Sequence, residues 1–295
     1  MSVAGEMFIK MASIGDAKRD KGLITPNDIT RYDNIVYGEN EKWQRLDVYK
    51  PTKDLEKKLP VIVSIHGGGW VYGNKEVYQF YCMNLAQRGF VVVNFTYRLA
   101  PEFKFPAPIE DTNQVLHWVF EHAKEYGFDT NHIFAVGDSA GGHTLALYSC
   151  ICTNKAYAKS FAIKQPKDFT FKAIALNCGK YHVYTDQRGD ELTKELMTDY
   201  LPQKGTPEEI ERICVENHIT DKFPPTFLMT SNDDSLKCQA PILQEKLMEH
   251  DVPFEMHFYG DRSHRLGHVF HCDVQSEFAK KCNDDECHFF QKFLK

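Results

Sequence analysis

The sequence predicts an α/β fold in which helices cover both faces of a mostly parallel sheet of about eight strands. Two observations support this prediction. Short apolar runs rich in β-branched residues, such as Val61–Ile65 and Phe90–Phe95, recur along the chain. Segments with helical spacing of apolar residues, such as Ile109–Lys124, separate these runs. Continuous apolar strands that alternate with helices are typical of a parallel sheet buried on both faces.

The elements follow in chain order from the same patterns. The predicted strands are Asp33–Tyr37, Arg45–Tyr49, Val61–Ile65, Phe90–Phe95, His132–Val136, Phe171–Leu176, Pro225–Met229 and Phe254–Phe258. The first two alternate polar and apolar residues, which favours an antiparallel pair. The predicted helices are Ile109–Lys124, Ala140–Ile151, Pro241–Glu249 and Phe278–Leu294.

One long segment interrupts the alternation of strands and helices. Residues 179–222 are polar and aromatic, have helical patterns of their own, and are too long for an ordinary connection. An insertion here would lie at the carboxyl edge of the sheet, where open α/β folds bind ligands. We therefore expect one catalytic domain over residues 1–295, with a lid made of residues 1–30 and 179–222.

Composition and charge argue against several classes of function. A net charge of −6 and a pI near 6.1 disfavour nucleic acid as the main partner. No apolar run approaches the roughly 20 residues of a membrane helix, and the N-terminus lacks the apolar core of a secretory signal. The nine cysteines are odd in number, contain no CxxC pair and fit no zinc spacing well. We expect reduced thiols in a cytoplasmic protein.

A candidate nucleophile lies in the sequence Gly-Asp-Ser-Ala-Gly at residues 137–141. This G-x-S-x-G motif follows an apolar strand and opens a helix, which is the context of a nucleophile elbow. Small flanking residues suit a strained turn in which the backbone passes close to itself. The motif predicts Ser139 at the positive end of the helix dipole. Alone, it leaves open a glycine-rich turn with a capping serine.

A second glycine-rich motif, His-Gly-Gly-Gly-Trp at residues 66–70, follows the strand Val61–Ile65. An oxyanion hole needs backbone N–H groups that closely approach a developing negative charge, and consecutive glycines supply them. The predicted donors are Gly68, Gly69 and Ala140. A nucleotide-binding loop is the alternative, but the motif lacks both the G-x-G-x-x-G spacing and a P-loop lysine.

These motifs resemble the hormone-sensitive-lipase-like esterases, the HGGG branch of the α/β-hydrolases. Three stretches match in order: His66–Trp70; Tyr97–Pro101 with Phe105–Ala107 and Asp111; and Gly137–Gly142. With the acid and histidine segments, the resemblance covers about residues 35–295. It implies an α/β-hydrolase fold that needs no metal or organic cofactor. It also implies hydrolysis of carboxylic esters with short acyl chains, acetyl esters among them.

In α/β-hydrolases the acid and the histidine follow the serine in that order. The family pattern, an aspartate followed two positions later by leucine, selects Asp234 over its neighbour Asp233. Relatives carry His-Gly-Phe or a variant after the last strand, and His268 begins the nearest match, His-Val-Phe. His264 and, less favoured, His271 are the rivals, because this loop is longer than the usual family form.

The sequence identifies the substrate-binding residues less clearly than the candidate catalytic residues. Trp70, Tyr72 and Phe105 are candidates for the acyl or alcohol pocket, although core packing explains each equally well. Polar and aromatic residues of the insertion would suit a polar alcohol: Tyr181, His182, Tyr184 and Arg188. The expected partner is a small-molecule ester, and homodimers are common in the family. An amidase, an arylformamidase-like enzyme, an exopeptidase or a non-catalytic receptor on this scaffold remain alternatives.

Overall fold

The computed structural model describes residues 1–185 and 189–294 and has a single central sheet. Its strands are β1 (Ile29–Val36), β2 (Arg45–Pro51), β3 (Leu59–Ile65), β4 (Val91–Phe95), β5 (Phe128–Asp138), β6 (Ala173–Asn177), β7 (Thr226–Ser231) and β8 (Phe254–Tyr259). They form an eight-stranded sheet in the order β1-β2-β4-β3-β5-β6-β7-β8.

The sheet is parallel except at one edge. Strand β2 pairs antiparallel with both β1 and β4, whereas every neighbouring pair from β4 to β8 is parallel. Parallel strands end at the same edge, so the loops that follow β3, β5, β6, β7 and β8 meet there. This is the edge at which open α/β sheets bind ligands.

The helices alternate with the strands. Among the described residues they are α1 (Val3–Arg19), α2 (Lys75–Ala86), α3 (Ala107–Glu121), α4 (Ala123–Tyr126), α5 (Ser139–Thr153), α6 (Lys155–Ala158), α7 (Glu191–Tyr200), α8 (Pro207–Ile213), α9 (Gln239–Glu249) and α10 (Glu277–Gln291). Short 3₁₀ turns lie at Thr52–Asp54, Val215–Asn217 and Phe270–Cys272. None of these helices is long and apolar enough to cross a lipid bilayer.

The core has two layers, one on each face of the sheet. Val61 and Val63 of β3 belong to the cluster that includes residues of α3 and α5, whereas Ile62 belongs to the cluster with α2 and α10. Alternate strand residues therefore enter opposite layers, as the pleat requires. Because both layers are apolar, the strands have continuous apolar sequences, and the predicted fold class is confirmed.

All eight predicted strands are present, with shifted ends. The strand β1 begins at Ile29 rather than Asp33, and β5 begins at Phe128 rather than His132. The helix α2 was not predicted from the sequence. Its buried face is built largely from tyrosine, cysteine and methionine, including Tyr78 and Tyr81, rather than from a regular aliphatic stripe. The helical pattern was therefore weak.

A buried carboxyl group lies between α10 and the sheet. The side chain of Glu286 accepts hydrogen bonds from Asn177 Nδ2 at 2.6 Å and from the Tyr81 hydroxyl at 2.9 Å. Burial raises the pKa of Glu286 to about 7, although both hydrogen bonds act to lower it. Folding therefore favours the protonated acid at this position.

We expect Glu286→Gln to change how stability depends on pH. The folded pKa lies above the ordinary value, so wild type loses stability as pH rises from 4.5 to about 7, on the order of 3 kcal/mol in total. Glutamine stays neutral and can still bond Asn177 and Tyr81, since a tyrosine hydroxyl both donates and accepts. Urea unfolding at pH 5 and pH 8 measures this. Equal changes in wild type and variant would contradict it.

Candidate active site

The turn between β5 and α5 places Ser139 at the edge of the sheet. Strand β5 ends at Asp138, and Ser139 begins α5 with φ 51°, in the left-handed region. A Cβ at Gly141 would lie 2.0 Å from the carbonyl oxygen of Ile65, so only glycine fits there. The small residues of the motif thus allow the helix to start directly against β3, with a strained serine at its first position.

The structure brings Ser139, His268 and Asp234 together in one hydrogen-bonded chain. His268 Nε2 lies 3.0 Å from Ser139 Oγ, and His268 Nδ1 lies 2.7 Å from Asp234 Oδ1. An ionised carboxylate only accepts hydrogen bonds, so Nδ1 carries the proton and Nε2 faces the serine as an acceptor. The arrangement can remove the serine proton and stabilise the imidazolium that results.

The surroundings of Asp234 keep its carboxylate charged. Its side chain is buried, and it also accepts hydrogen bonds from Leu236 N–H at 2.8 Å and Thr230 Oγ1 at 2.7 Å. Burial alone would raise the pKa of Asp234, but the hydrogen bonds from His268, Leu236 and Thr230 lower it below its ordinary value. A charged acid therefore fixes the orientation of the imidazole.

Within the described residues, the alternative candidates for the acid and the histidine do not contact Ser139. Asp233 forms an ion pair with Arg265 at 2.6 Å, and its side chain is 47% exposed. His264 is 53% exposed and pairs with Asp261 at 3.0 Å. His271 is fully buried against Tyr81, and burial lowers its pKa to about 3. None of the three forms a described contact with Ser139.

The glycine-rich loop after β3 lines the same cavity as Ser139. Gly68 and Gly69 have φ values of 117° and 59°, and a Cβ at Gly68 would lie 2.1 Å from the Tyr72 carbonyl oxygen. Within the described parts of the chain, the backbone N–H groups of Gly68 and Gly69 donate no hydrogen bond. The side chain of Asp138 does not cap α5, so the N–H of Ala140 is also left for a ligand.

Asp138 instead supports the glycine loop. Its Oδ2 accepts a hydrogen bond from the Tyr78 hydroxyl at 2.7 Å, and this hydroxyl accepts the N–H of Gly67 at 3.0 Å. Burial raises the pKa of Asp138 to about 6, partly offset by the bond from Tyr78. No sequence pattern indicated Tyr78 in this role, because Tyr78 lies on the unpredicted helix α2.

A cavity of about 650 Å³ opens onto Ser139 and His268. Its wall combines the carboxyl edge of the sheet with α1 and one residue of α7: Ala4, Met7, Phe8, Met11, Ala12, Gly15, Asp16, Arg19, Gly67, Gly68, Tyr72, Tyr78, Asp138, Ser139, Leu192, His268, Val269, Phe270 and Asp273. Both segments expected to form a lid thus contribute residues to this wall.

Hydrogen bonds at both ends of α1 hold it over the cavity. At its start, Ser2 N–H donates to Asp199 Oδ1 of α7 at 2.9 Å. Near its end, Asp16 accepts the Tyr72 hydroxyl at 3.0 Å, and Arg19 Nη2 donates to the Val77 carbonyl oxygen at 2.6 Å. The described conformation is therefore one in which α1 covers the site.

Of the three aromatic candidates, only Tyr72 lines this cavity. Trp70 is 3% exposed and stacks on Tyr200 with ring centroids 4.8 Å apart. Phe105 is 5% exposed and packs against Tyr200 and Phe161. Trp70 and Phe105 pack in the core rather than on this cavity wall, because the insertion supplies Tyr200 as a packing partner for both.

The aromatic residues of the insertion also lie away from Ser139. His182 and Tyr184 line a separate cavity of about 300 Å³, and Tyr181 is 1% exposed in the core. Arg188 lies outside the described residues. The suggested contact of these residues with a polar alcohol is therefore not seen at the cavity that contains Ser139.

Comparisons with known proteins agree with this architecture. The family model described as BD-FAE matches residues 46–247. The versiconal hemiacetal acetate esterase of Dothistroma septosporum is 28% identical over 230 residues, which cover 74% of this chain and 69% of that protein. Esterase LipC of Mycobacterium tuberculosis is 27% identical over 208 residues, which cover 70% of this chain and 48% of LipC.

A similar fold is found among solved structures. Esterase B from Lactobacillus rhamnosis superposes with a TM-score of 0.87 at 23% sequence identity, covering 98% of this chain and 93% of that chain. The chain spans about half to two thirds of the length of most curated relatives it matches.

Proposed function

The chain belongs to the BD-FAE family and shares the fold of the hormone-sensitive-lipase-like esterases, and on this premise we propose that it is a serine carboxylic ester hydrolase. The observation that supports this most strongly is the hydrogen-bonded chain from Ser139 through His268 to Asp234 at the floor of an open cavity. The names of its relatives as esterases point the same way.

The proposed mechanism follows from the positions of these groups. His268 Nε2 takes the proton of Ser139 while Oγ attacks the ester carbonyl carbon. The charged Asp234 stabilises the imidazolium, which then protonates the departing alcohol. A water activated by the same histidine attacks the acyl-enzyme, releases the carboxylic acid and regenerates Ser139.

We assign the oxyanion hole to the backbone N–H groups of Gly68, Gly69 and Ala140. Three facts support this: the first two donors are not otherwise used in the described structure, the third lies at an uncapped helix N-terminus, and the loop borders Ser139. Such donors stabilise the negative charge that develops on the carbonyl oxygen during attack.

We expect Gly68→Ala to lower kcat by at least about 100-fold, the loss typical for one oxyanion donor. The added methyl would meet the Tyr72 carbonyl oxygen at 2.1 Å, so the loop must shift. Steady-state kinetics measures the effect. Gly22→Ala is the control, because Gly22 also has a positive φ (84°), its added methyl would meet no atom within 4 Å, and it lies off the cavity wall. A variant that is folded by circular dichroism and keeps wild-type kcat would contradict the assignment.

We further propose that the substrates carry short acyl chains, acetyl esters included. A relative named as an acetate esterase supports this choice. The cavity volume of about 650 Å³ lies within the range for small-molecule sites and must hold both halves of the ester. Its wall near Ser139 is largely apolar, which suits an acyl chain better than a charged group.

Hydrolysis of p-nitrophenyl esters from C2 to C12 tests this proposal. We expect kcat/KM to be highest for the short esters and to fall as the chain outgrows the cavity. A maximum at C8 or longer would contradict the short-chain preference while leaving ester hydrolysis intact. Matched ester and amide substrates test the amidase, arylformamidase and exopeptidase alternatives, and an amide preference would overturn the ester assignment.

We also propose a lid, a cellular location and an oligomeric state for the protein. The segments 1–30 and 179–222 act as a lid within one domain, which the place of α1 and Leu192 on the cavity wall supports. The protein works in the cytoplasm, which fits nine unpaired cysteines, most of them buried. It forms a homodimer, which light scattering of the purified protein tests.

A further inference from the structure

A second cluster of chemically active side chains lies in the insertion between β6 and β7. His182, Cys214 and Glu216 each place one ligand atom within 4.8 Å of the other two. His182 Nδ1 contacts Glu216 Oε1, and Cys214 Sγ accepts the N–H of Val183 at 3.5 Å. Imidazole nitrogen, thiolate sulfur and carboxylate oxygen are the ligand atoms of protein zinc sites.

The burial of this cluster sets it apart from ordinary surface pairs. The side chain of Glu216 is 10% exposed, and its Oε2 has no hydrogen-bond partner among the described residues. Buried polar atoms normally have a partner. The pair of His264 with Asp261, by contrast, is exposed and has no cysteine grouped with it. The unpaired oxygen therefore points to a ligand at this position.

The cluster also has space and access for an ion. His182 and Cys214 both line the second cavity, of about 300 Å³. Glu211 and Asn217 contribute polar side chains to the same wall. An open cavity of this size supplies an entry path and room for a water molecule as an additional ligand.

We propose that His182, Cys214 and Glu216 bind one Zn²⁺ ion, with water from the cavity as the fourth ligand. Zinc lies about 2.0–2.3 Å from such ligand atoms, so the present separations need only small side-chain rotations. The ion joins the segment after β6 to the 3₁₀ turn Val215–Asn217. Sequence spacing gave no sign of this site, because the histidine is far from the other two ligands along the chain.

The expected role is structural. The segment that would be fixed by the ion starts beside the nucleophile, since Lys180 N–H donates to the Ser139 carbonyl oxygen at 3.2 Å. Val215 N–H already donates to the Tyr181 carbonyl oxygen at 2.9 Å. A bound ion adds a second connection between the same two segments and stabilises the folded state by mass action.

Titration of the EDTA-treated full-length chain with Co²⁺ tests the site, because a thiolate ligand gives cobalt a charge-transfer band in the near ultraviolet. We expect one Co²⁺ per chain in wild type, displaced by Zn²⁺, and no such band in Cys214→Ser. Cys238→Ser is the matched control, since Cys238 is exposed and outside the cluster. His182→Ala and Glu216→Gln should weaken Co²⁺ affinity by more than roughly 10–100-fold. That range is the loss typical of residues that only hydrogen-bond a metal ligand.

Three results would overturn the proposal: no band in wild type, a full band in Cys214→Ser, or a band lost only in Cys238→Ser. Circular dichroism checks that each variant is folded. If Cys214→Ser is unfolded, Glu216→Gln decides, because it keeps the thiol and the side-chain shape. The readout is absorbance rather than ester turnover, so its failure would leave the proposed hydrolase function untouched.

Discussion

Replacement of Ser139 by alanine is expected to lower kcat/KM for p-nitrophenyl acetate by at least about 10⁴-fold. The hydroxyl oxygen is the atom that His268 Nε2 faces at 3.0 Å, and alanine removes it without adding bulk. The residual rate should come from the oxyanion donors and substrate binding alone. Steady-state kinetics at a raised enzyme concentration, with the ester still in excess, measures the remaining turnover.

Ser231→Ala is a useful comparison for this variant. Ser231 is a buried serine at the end of the neighbouring strand β7, and its hydroxyl bonds the Leu266 carbonyl oxygen rather than a catalytic group. It should keep most activity and lose some stability. If Ser139→Ala were folded and retained a tenth or more of wild-type turnover, an acyl-enzyme at Ser139 would be contradicted.

The second large effect is expected at His268. His268→Ala removes both the base that faces Ser139 and the partner of Asp234, which leaves a buried carboxylate without its main donor. We expect kcat/KM to fall by about 10⁴–10⁶-fold, close to the loss at the serine, because the two residues act as a unit. The double variant Ser139→Ala/His268→Ala should be little worse than either single variant.

His264→Ala separates the two candidate histidines. His264 is half exposed and bonds Asp261, so its removal should change kcat/KM by less than about threefold, as for ordinary surface residues. Measurement of both variants on the same ester series distinguishes them. Near-complete loss in His264→Ala with activity kept in His268→Ala would mean that the loop rearranges to present the other histidine.

Much of the fold followed from sequence because the strands are buried on both faces. Runs such as Val61–Ile65 and Val91–Phe95 are apolar except for Ser64 and Asn94. Short runs rich in β-branched residues are typical of strands in a parallel sheet. Helix α2 was not predicted, because its buried face consists largely of Tyr78, Tyr81 and Cys82, which do not form an aliphatic stripe. The hydrogen bond from Tyr78 of this helix to Asp138 could therefore not be predicted either.

The site, like the fold, was predicted only in part from the sequence. Local motifs indicated Ser139 and the glycine loop, since their backbone geometry tolerates few other residues. The cavity wall could not be predicted, because it depends on which distant segments meet. Trp70 packs in the core because Tyr200 arrives from the insertion, while the wall is built by Met7 and Phe8 of α1.

The central claim, that Ser139 is the nucleophile of an ester hydrolase, is tested most directly by covalent labelling. The wild-type protein is incubated with a fluorophosphonate, and the modified peptide is identified by mass spectrometry. The account predicts one adduct per chain, on Ser139, formed in parallel with loss of esterase activity and absent in Ser139→Ala. An adduct on another residue that inactivates the enzyme, or full inactivation with Ser139 unmodified, would contradict it.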